Sequence, residues 1–409
     1  MKTRWLLLLA ISLGVSRVAA GAADWPQWRG PDRDNKVTGF TEPKTWPKEL
    51  TKKWTTNVGL GDASPVLVGD KIYVFTRDGD DEIIWCLDAA KGTEIWKDKY
   101  AAQAVTNRAA SGHPGPRSTP AVAEGKVCTF GVGGTLSCLD AANGKELWRK
   151  DTKAWPQFFT SASPIILDGQ CIIHIGGEGK GAITAYDLAG GEEKWHWSGD
   201  GPGYASPVLV TVEKTKQLVT LTDKSVVGIA TADGKLLWQL PYEVPRMQYN
   251  SITPIVDGQT VIYAREGAGT AAVKIEKKDD GFITKELWQK KDAPGRFNTP
   301  VLKDGLLFGL APSGRGATVL FCMKAETGEV LWKDDKNKRG ECGTVYDAGT
   351  VLLALTSDSN LVVFKPNDKE YAELAHYKVA DSPTWACPII AGNRVFVKDK
   401  DSVTLWTIE

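Results

Sequence analysis

The side chains that could do chemistry in this sequence are few and scattered. His113, His174, His196 and His376 lie far apart with no partner spacing, so they do not read as a zinc site. Residues 176–181, GGEGKG, imitate a phosphate-binding loop. They fall between two strand-like runs with no helix to follow, however, which makes them a hairpin. Residues 78–82, DGDDE, carry the acidic groups that calcium needs, but at a spacing that fits no EF-hand loop, so they read as a solvated hairpin tip. No catalytic residue and no metal ligand set emerges.

What remains is a series of dissimilar residues ahead of a recurring Ser/Thr-Pro pair. They are Arg117, Phe159, Tyr204, Tyr249 with Asn250, Arg296 with Asn298, Arg339 with Glu341, and Trp385. A mixture of arginine, aromatic and amide groups suits a polar or anionic small ligand, or a peptide loop. The alternative is that these groups satisfy one another and ordered water. Which applies depends on the elements that bring them together.

Those elements are repeats. The pairs Ser64-Pro65, Thr119-Pro120, Ser163-Pro164, Ser206-Pro207, Thr253-Pro254, Thr299-Pro300, the degenerate Thr344-Val345 and Cys387-Pro388 follow one another at intervals of 43 to 55 residues. Eight copies at that period imply eight blades of a propeller. Proline is tolerated where a strand starts, since no ladder bond is lost there. Alternating runs such as 71–76, 126–131 and 259–263 supply second strands after DG or EG turns.

The second half of a copy has its own rule: Asp88, Gly92 and Trp96; Asp140, Gly144 and Trp148; Asp187, Gly191 and Trp195, each at four-residue steps. The aspartate closes an Asx turn, the glycine supplies positive φ, and the tryptophan begins the outermost strand and covers the junction between blades. Gly234 with Trp238, Gly328 with Trp332 and, after a longer hairpin, Gly281 with Trp288 keep part of the pattern. The seventh copy has Pro366 and Tyr377 instead. Each copy is expected to be a four-stranded antiparallel blade, giving an all-β, eight-bladed propeller over residues 50–409. The last copy has room for three strands only, so the segment around Trp54 should complete it and close the ring.

The cysteines follow the repeat. Cys86, Cys138 and Cys322 occupy equivalent positions, and Cys128 and Cys171 lie in apolar runs, so all five read as small buried hydrophobes. Whether Cys342 and Cys387, which precede strands in neighbouring copies, form a pair is left open. Residues 23–49, rich in Pro, Trp and charge, form an irregular strap that Trp25, Trp28 and Trp46 pin to the domain, with a ligand lid as the sharper alternative. Residues 1–22 combine Lys2 and Arg4 with an apolar run and small residues, the build of a cleavable signal peptide. A retained N-terminal anchor is the alternative, and the absence of a cysteine after the run argues against lipidation. The expected protein is periplasmic or secreted and monomeric. Fifty basic residues balance fifty acidic ones, which removes any global electrostatic case for nucleic acid or an anionic membrane as partner.

The run SPVLVGDKIYV, followed by CLDAAKGTEIW, resembles the PQQ-like β-propeller repeat of bacterial quinoprotein dehydrogenases and of the propeller lipoprotein in the outer-membrane barrel-assembly machinery. DWPQWRGPDRD also looks like the leader of exported bacterial PQQ-like repeat proteins. The resemblance implies the fold, and two functions. One is a non-catalytic extracytoplasmic scaffold, with an extracytoplasmic or outer-membrane protein or a small polar ligand as partner and no cofactor. The other is a quinoprotein oxidoreductase acting on alcohols or sugars, with PQQ and calcium over the funnel. The adjacent cysteine pair that alcohol-oxidising members use, and the C-x-x-C-H haem motif, are both missing, which favours the scaffold. A polysaccharide hydrolase or lyase is a weaker third reading.

Overall fold

The computed structural model describes residues 24–106, 111–242, 250–265, 268–291 and 297–409. The expected leader, Tyr249 and Arg296 lie outside the described residues. All regular structure within them is strand, arranged as eight four-stranded antiparallel sheets around a central axis. Blade 1 runs from axis to rim through Val66–Val68, Lys71–Asp78, Asp81–Asp88 and Glu94–Ala101. Blades 2 to 7 repeat that order. Blade 8 takes Ile389–Ala391, Arg394–Lys398 and Ser402–Thr407 from the C-terminus and Thr51–Asn57 from the N-terminal side, so both ends of the propeller share one sheet.

The Asp-Gly-Trp rule works as a seam. Asp140 Oδ1 accepts the backbone N–H groups of Ala142 and Asn143 at 2.9 and 3.2 Å, and Gly144 follows with φ of +75°. A Cβ on Gly144 would stand 2.5 Å from the ring of Trp96 in the preceding blade, so the glycine is required by contact as well as by backbone geometry. Trp96 then donates Nε1–H across the seam to Ala141 O at 3.3 Å. Trp148 to Leu188 O, Trp288 to Ala325 O and Trp332 to Asn367 O repeat the bond at 3.2, 2.9 and 2.7 Å. Blade 5 lacks the turn, because its third and fourth strands run on as Gly269–Lys278 and Gly281–Lys290. Trp238 of blade 4 therefore bonds Gln217 of its own blade at 2.7 Å.

A second belt lies near the axis. The opener hydroxyl of one blade accepts the opener N–H of the blade before it: Ser64 N to Thr119 Oγ1, Thr119 N to Ser163 Oγ, Ser163 N to Ser206 Oγ, Thr253 N to Thr299 Oγ1 and Cys387 N to Ser64 Oγ, all at 2.9 to 3.2 Å. The opener thus contributes its hydroxyl to closure as well as its proline to the strand start.

The strap fills the channel. Trp25 pairs in both directions with Leu67, and Pro26 O accepts Val122 N–H. Trp28 Nε1 donates to Thr253 Oγ1 at 2.9 Å. Arg29 donates to Thr299 O and Pro300 O at 3.1 and 3.0 Å, Arg33 to Pro207 O at 2.8 Å and to Pro164 O, and Asn35 to Thr344 Oγ1 and Val345 O. The innermost strands turn one unpaired edge to the axis, and buried carbonyls there need donors. The two guanidiniums, 4% and 3% exposed, supply them with no carboxylate in direct contact among the described residues. Burial lowers Arg29 to about 10 and Arg33 to about 9, so both remain charged at neutral pH.

The strap leaves past Asp347 and Lys365, which belong to the face of the inner and outer turns. Tyr377, standing where other blades have tryptophan, holds it through Pro47 O at 2.9 Å. It is therefore a plug from the face opposite the mouth, and the expectation of a ligand lid is corrected. Residues 78–80 form the exposed hairpin tip expected, and only Glu82 at its base departs from that reading: it is 1% exposed and accepts bonds from Tyr100 OH and, at 2.9 Å, from Val132 N, a blade contact.

Candidate functional site

The mouth is the face where the connections into the innermost strands converge, opposite the strap. Its centre is a cluster bridging blades 8, 1 and 2. His113 Nδ1 lies 2.7 Å from Asp62 Oδ2, and the imidazole stands edge-on to Trp385 with ring centroids 4.6 Å apart. The hydrogen bond that Asp62 accepts raises the His113 pKa above the ordinary histidine value, against the partial desolvation that lowers it. Asp62 and Ala63 N–H both donate to Pro116 O at 2.8 Å, which ties the two connections together.

Arg117 reaches sideways from the same connection. It donates to Phe158 O at 2.5 Å and to His113 O at 2.8 Å, and burial lowers its pKa. Tyr204 OH accepts Phe158 N–H at 3.1 Å and its ring lies 6.0 Å from that of Phe158. Glu341 is exposed and Trp385 half-buried, so Arg117, Tyr204, Glu341 and Trp385 share the mouth with His113 and Asp62.

Four other expected residues are placed differently. Asn250, 3% exposed, donates to Tyr242 OH at 2.7 Å and its backbone O accepts Tyr204 N–H. Asn298, also 3% exposed, accepts Gly343 N–H at 2.8 Å across a blade junction. Arg339 pairs with Asp334 at 2.9 Å and lies over Tyr371, its ring centroid 5.0 Å away, between blades 6 and 7. Phe159 is buried and stacks on Trp155 at 6.1 Å. Sequence reasoning missed Asp62 and His113. They are 51 residues apart. Asp62 stands three residues before Pro65, the position that Arg117, Tyr204 and Trp385 hold before their own prolines, so the repeat register could have found it. His113 has no such register, and only the three-dimensional convergence reveals it.

The cluster can bind by hydrogen bonding, charge and aromatic contact. Among the described residues no group of three or more His, Cys, Asp or Glu side chains could hold a metal ion. All seven cysteines are free thiols, Cys342 and Cys387 included.

The family described as outer membrane protein assembly factor BamB matches residues 80–334, more than half of the chain. The chain belongs to this family. The assembly factor of Burkholderia pseudomallei is 25% identical over 368 residues, 86% of each chain. The crystal structure of the assembly factor from Moraxella catarrhalis covers 88% of this chain and 99% of its own with a TM-score of 0.66 at 15% identity, a likeness of fold. A quinohemoprotein alcohol dehydrogenase of Pseudomonas putida is 30% identical over 222 residues, 47% of this chain but only 30% of the enzyme.

The enzyme's name implies a quinone cofactor, and the described arginines of the mouth are already engaged by the protein. A polycarboxylated quinone held with calcium needs a set of hard oxygen ligands and uncommitted cations. The metal-ligand cluster is absent among the described residues, Arg339 is committed to Asp334, and the strap occupies the channel beneath.

Proposed function

We propose that this protein is a non-catalytic extracytoplasmic scaffold whose mouth docks a segment of an outer-membrane or envelope protein. The observation that carries the reading is the extent of the likeness in sequence, 86% of both chains for an outer-membrane assembly factor against 30% of the dehydrogenase, since the fold itself is shared with both. The mouth supports it, with Trp385 and Tyr204 as rigid aromatic anchors and His113, Arg117, Asp62 and Glu341 as polar surroundings, a composition suited to a peptide loop.

Photo-crosslinking in the producing cell tests it. A crosslinker at Glu341 should capture a defined envelope protein, and Trp385→Ala should abolish that product while thermal stability is kept. A crosslinker at Ile95, exposed on the rim of blade 1, should give none of it. Equal capture from both positions sinks the mouth as the docking face. The competing oxidoreductase reading requires the opposite: a thermal shift with PQQ and calcium, and dye-linked oxidation of an alcohol or sugar. Either result would overturn the scaffold.

A further inference from the structure

Three thiols meet in the seam between blades 2 and 3. Cys128, in the strand Lys126–Phe130, stands directly opposite Cys138, in Thr135–Asp140. Gly131 N–H donates to Thr135 O at 2.8 Å, which makes 131 and 135 a hydrogen-bonded pair. Alternation along the ladder then makes 129 with 137 bonded and 128 with 138 non-bonded, the type in which Cα atoms approach to about 4.5 Å and side chains are closest. That separation falls within the window of about 4.4 to 6.8 Å over which a disulfide closes. Cys138 Sγ–H donates to Leu188 O of blade 3 at 3.5 Å, so the pair faces the seam, where Cys171 of blade 3 joins the same cluster.

The neighbouring blades show what is unusual here. At the position of Cys128, blades 1, 6 and 8 place a ring, Tyr73, Phe308 or Phe396, against the seam tryptophan at 5.8, 6.2 or 6.0 Å. Blade 2 has a thiol there, and Tyr186 from blade 3 approaches Trp148 instead, at 6.3 Å. Cys86 faces Tyr73, Cys322 faces Phe308, and Cys171 faces Ile166 and Tyr186. Among the described strands no other cysteine opposes a cysteine.

We propose that Cys128 and Cys138 are a redox-convertible pair, a disulfide-forming site within blade 2 that becomes linked when the chain folds or locally opens in the presence of a small-molecule disulfide. Two thiols lose two protons and two electrons as their sulfur–sulfur bond forms. The disulfide of the oxidant breaks and accepts them, releasing two thiols. All three seam cysteines are 0% exposed and burial raises the Cys128 thiol pKa, so the closed native state reacts slowly and exchange runs through opening. The site is independent of any partner at the mouth.

The test refolds the full chain in oxidised and reduced glutathione, then counts alkylatable thiols under denaturing conditions. Five of the seven cysteines should alkylate after oxidising refolding and all seven after reduction, with peptide mapping placing the link between Cys128 and Cys138. Cys171→Ala should still lose two alkylation sites. Seven alkylated thiols in the oxidised wild type, or a link that includes any other cysteine, overturns the proposal. Because the wild-type count decides it, a Cys171→Ala variant that fails to fold leaves the answer intact.

Discussion

The plugged channel and the mouth above it solve opposite problems. At the strap end, Arg29, Arg33 and Asn35 give their donors to carbonyls and hydroxyls of the innermost strands, and Trp25 continues the edge of blade 1. At the mouth, Asp62, His113, Trp385 and Glu341 come from separate connections and remain partly open to solvent. Eight inner edges around an axis expose polar backbone that something must satisfy. Filling one end from below leaves the other free to diversify. Charge in the strap is thus structural, and charge at the mouth stays partly exposed.

The sharpest way to break this contrast is Arg33→Leu. It strips donors from Pro164 O, Pro207 O and Gln27 Oε1. Each buried acceptor left without a donor costs about 1 to 3 kcal/mol, so a loss of about 4 kcal/mol is expected in urea unfolding followed by tryptophan fluorescence. Arg33→Lys should recover only part, since an ammonium lacks the planar fork. Glu341→Ala, at the other end, should stay within about 0.5 kcal/mol of wild type. A loss below about 1 kcal/mol for Arg33→Leu would mean that water serves those carbonyls and the plug is not sealed.

Much of this architecture was legible because repeats expose their own rules. Asp140, Gly144 and Trp148 recur, so their turn and seam roles could be read from one copy and checked in the next. Trp54, outside any complete copy, announced the closing strand. The failures have a common cause. Arg29 and Arg33 occur once, in a segment without period, and their partners are main-chain carbonyls that no side-chain pattern marks. Arg339 and Asn298 also precede openers, but six and two residues ahead of Val345 and Pro300 where Arg117 is three ahead of Pro120, and Asp334 and Gly343 hold them. Exact register therefore matters: Asp62, Arg117, Tyr204 and Trp385 share the place three residues before the second opener residue, while Asn250, Asn298, Arg339 and Phe159 sit at other offsets and turn into blade contacts.

His174 sharpens the contrast with an intermediate effect. It is 7% exposed in the wall of blade 3, 3.2 Å from Asp200 O, and burial lowers its pKa to about 4. An unfolded histidine titrates near 6.5, so the unfolded chain takes up the proton first as the pH falls. Stability contributed by this group is complete above about pH 6.5 and declines toward pH 4, by about 3 kcal/mol if the full shift is realised. His174→Phe should remove that slope from a profile of melting temperature against pH. An unchanged slope assigns the acid sensitivity elsewhere.

His113 at the mouth should show the reverse sign and the smallest effect. Its folded pKa lies above the unfolded value because Asp62 stabilises the imidazolium, so its contribution is complete below about pH 6.5 and fades as the pH rises through the folded pKa. With the side chain 33% exposed and Asp62 22%, solvent screens the pair and the gain is expected to stay under about 1 kcal/mol. His113→Gln should therefore be slightly destabilised at pH 5.5 and match wild type at alkaline pH, and added salt should shrink the difference. A proton titration of His113 by NMR reads the direction directly. A pKa at or below the ordinary value would show that the ring is held by Trp385 alone, and the mouth would then offer a neutral aromatic edge where a cation is expected.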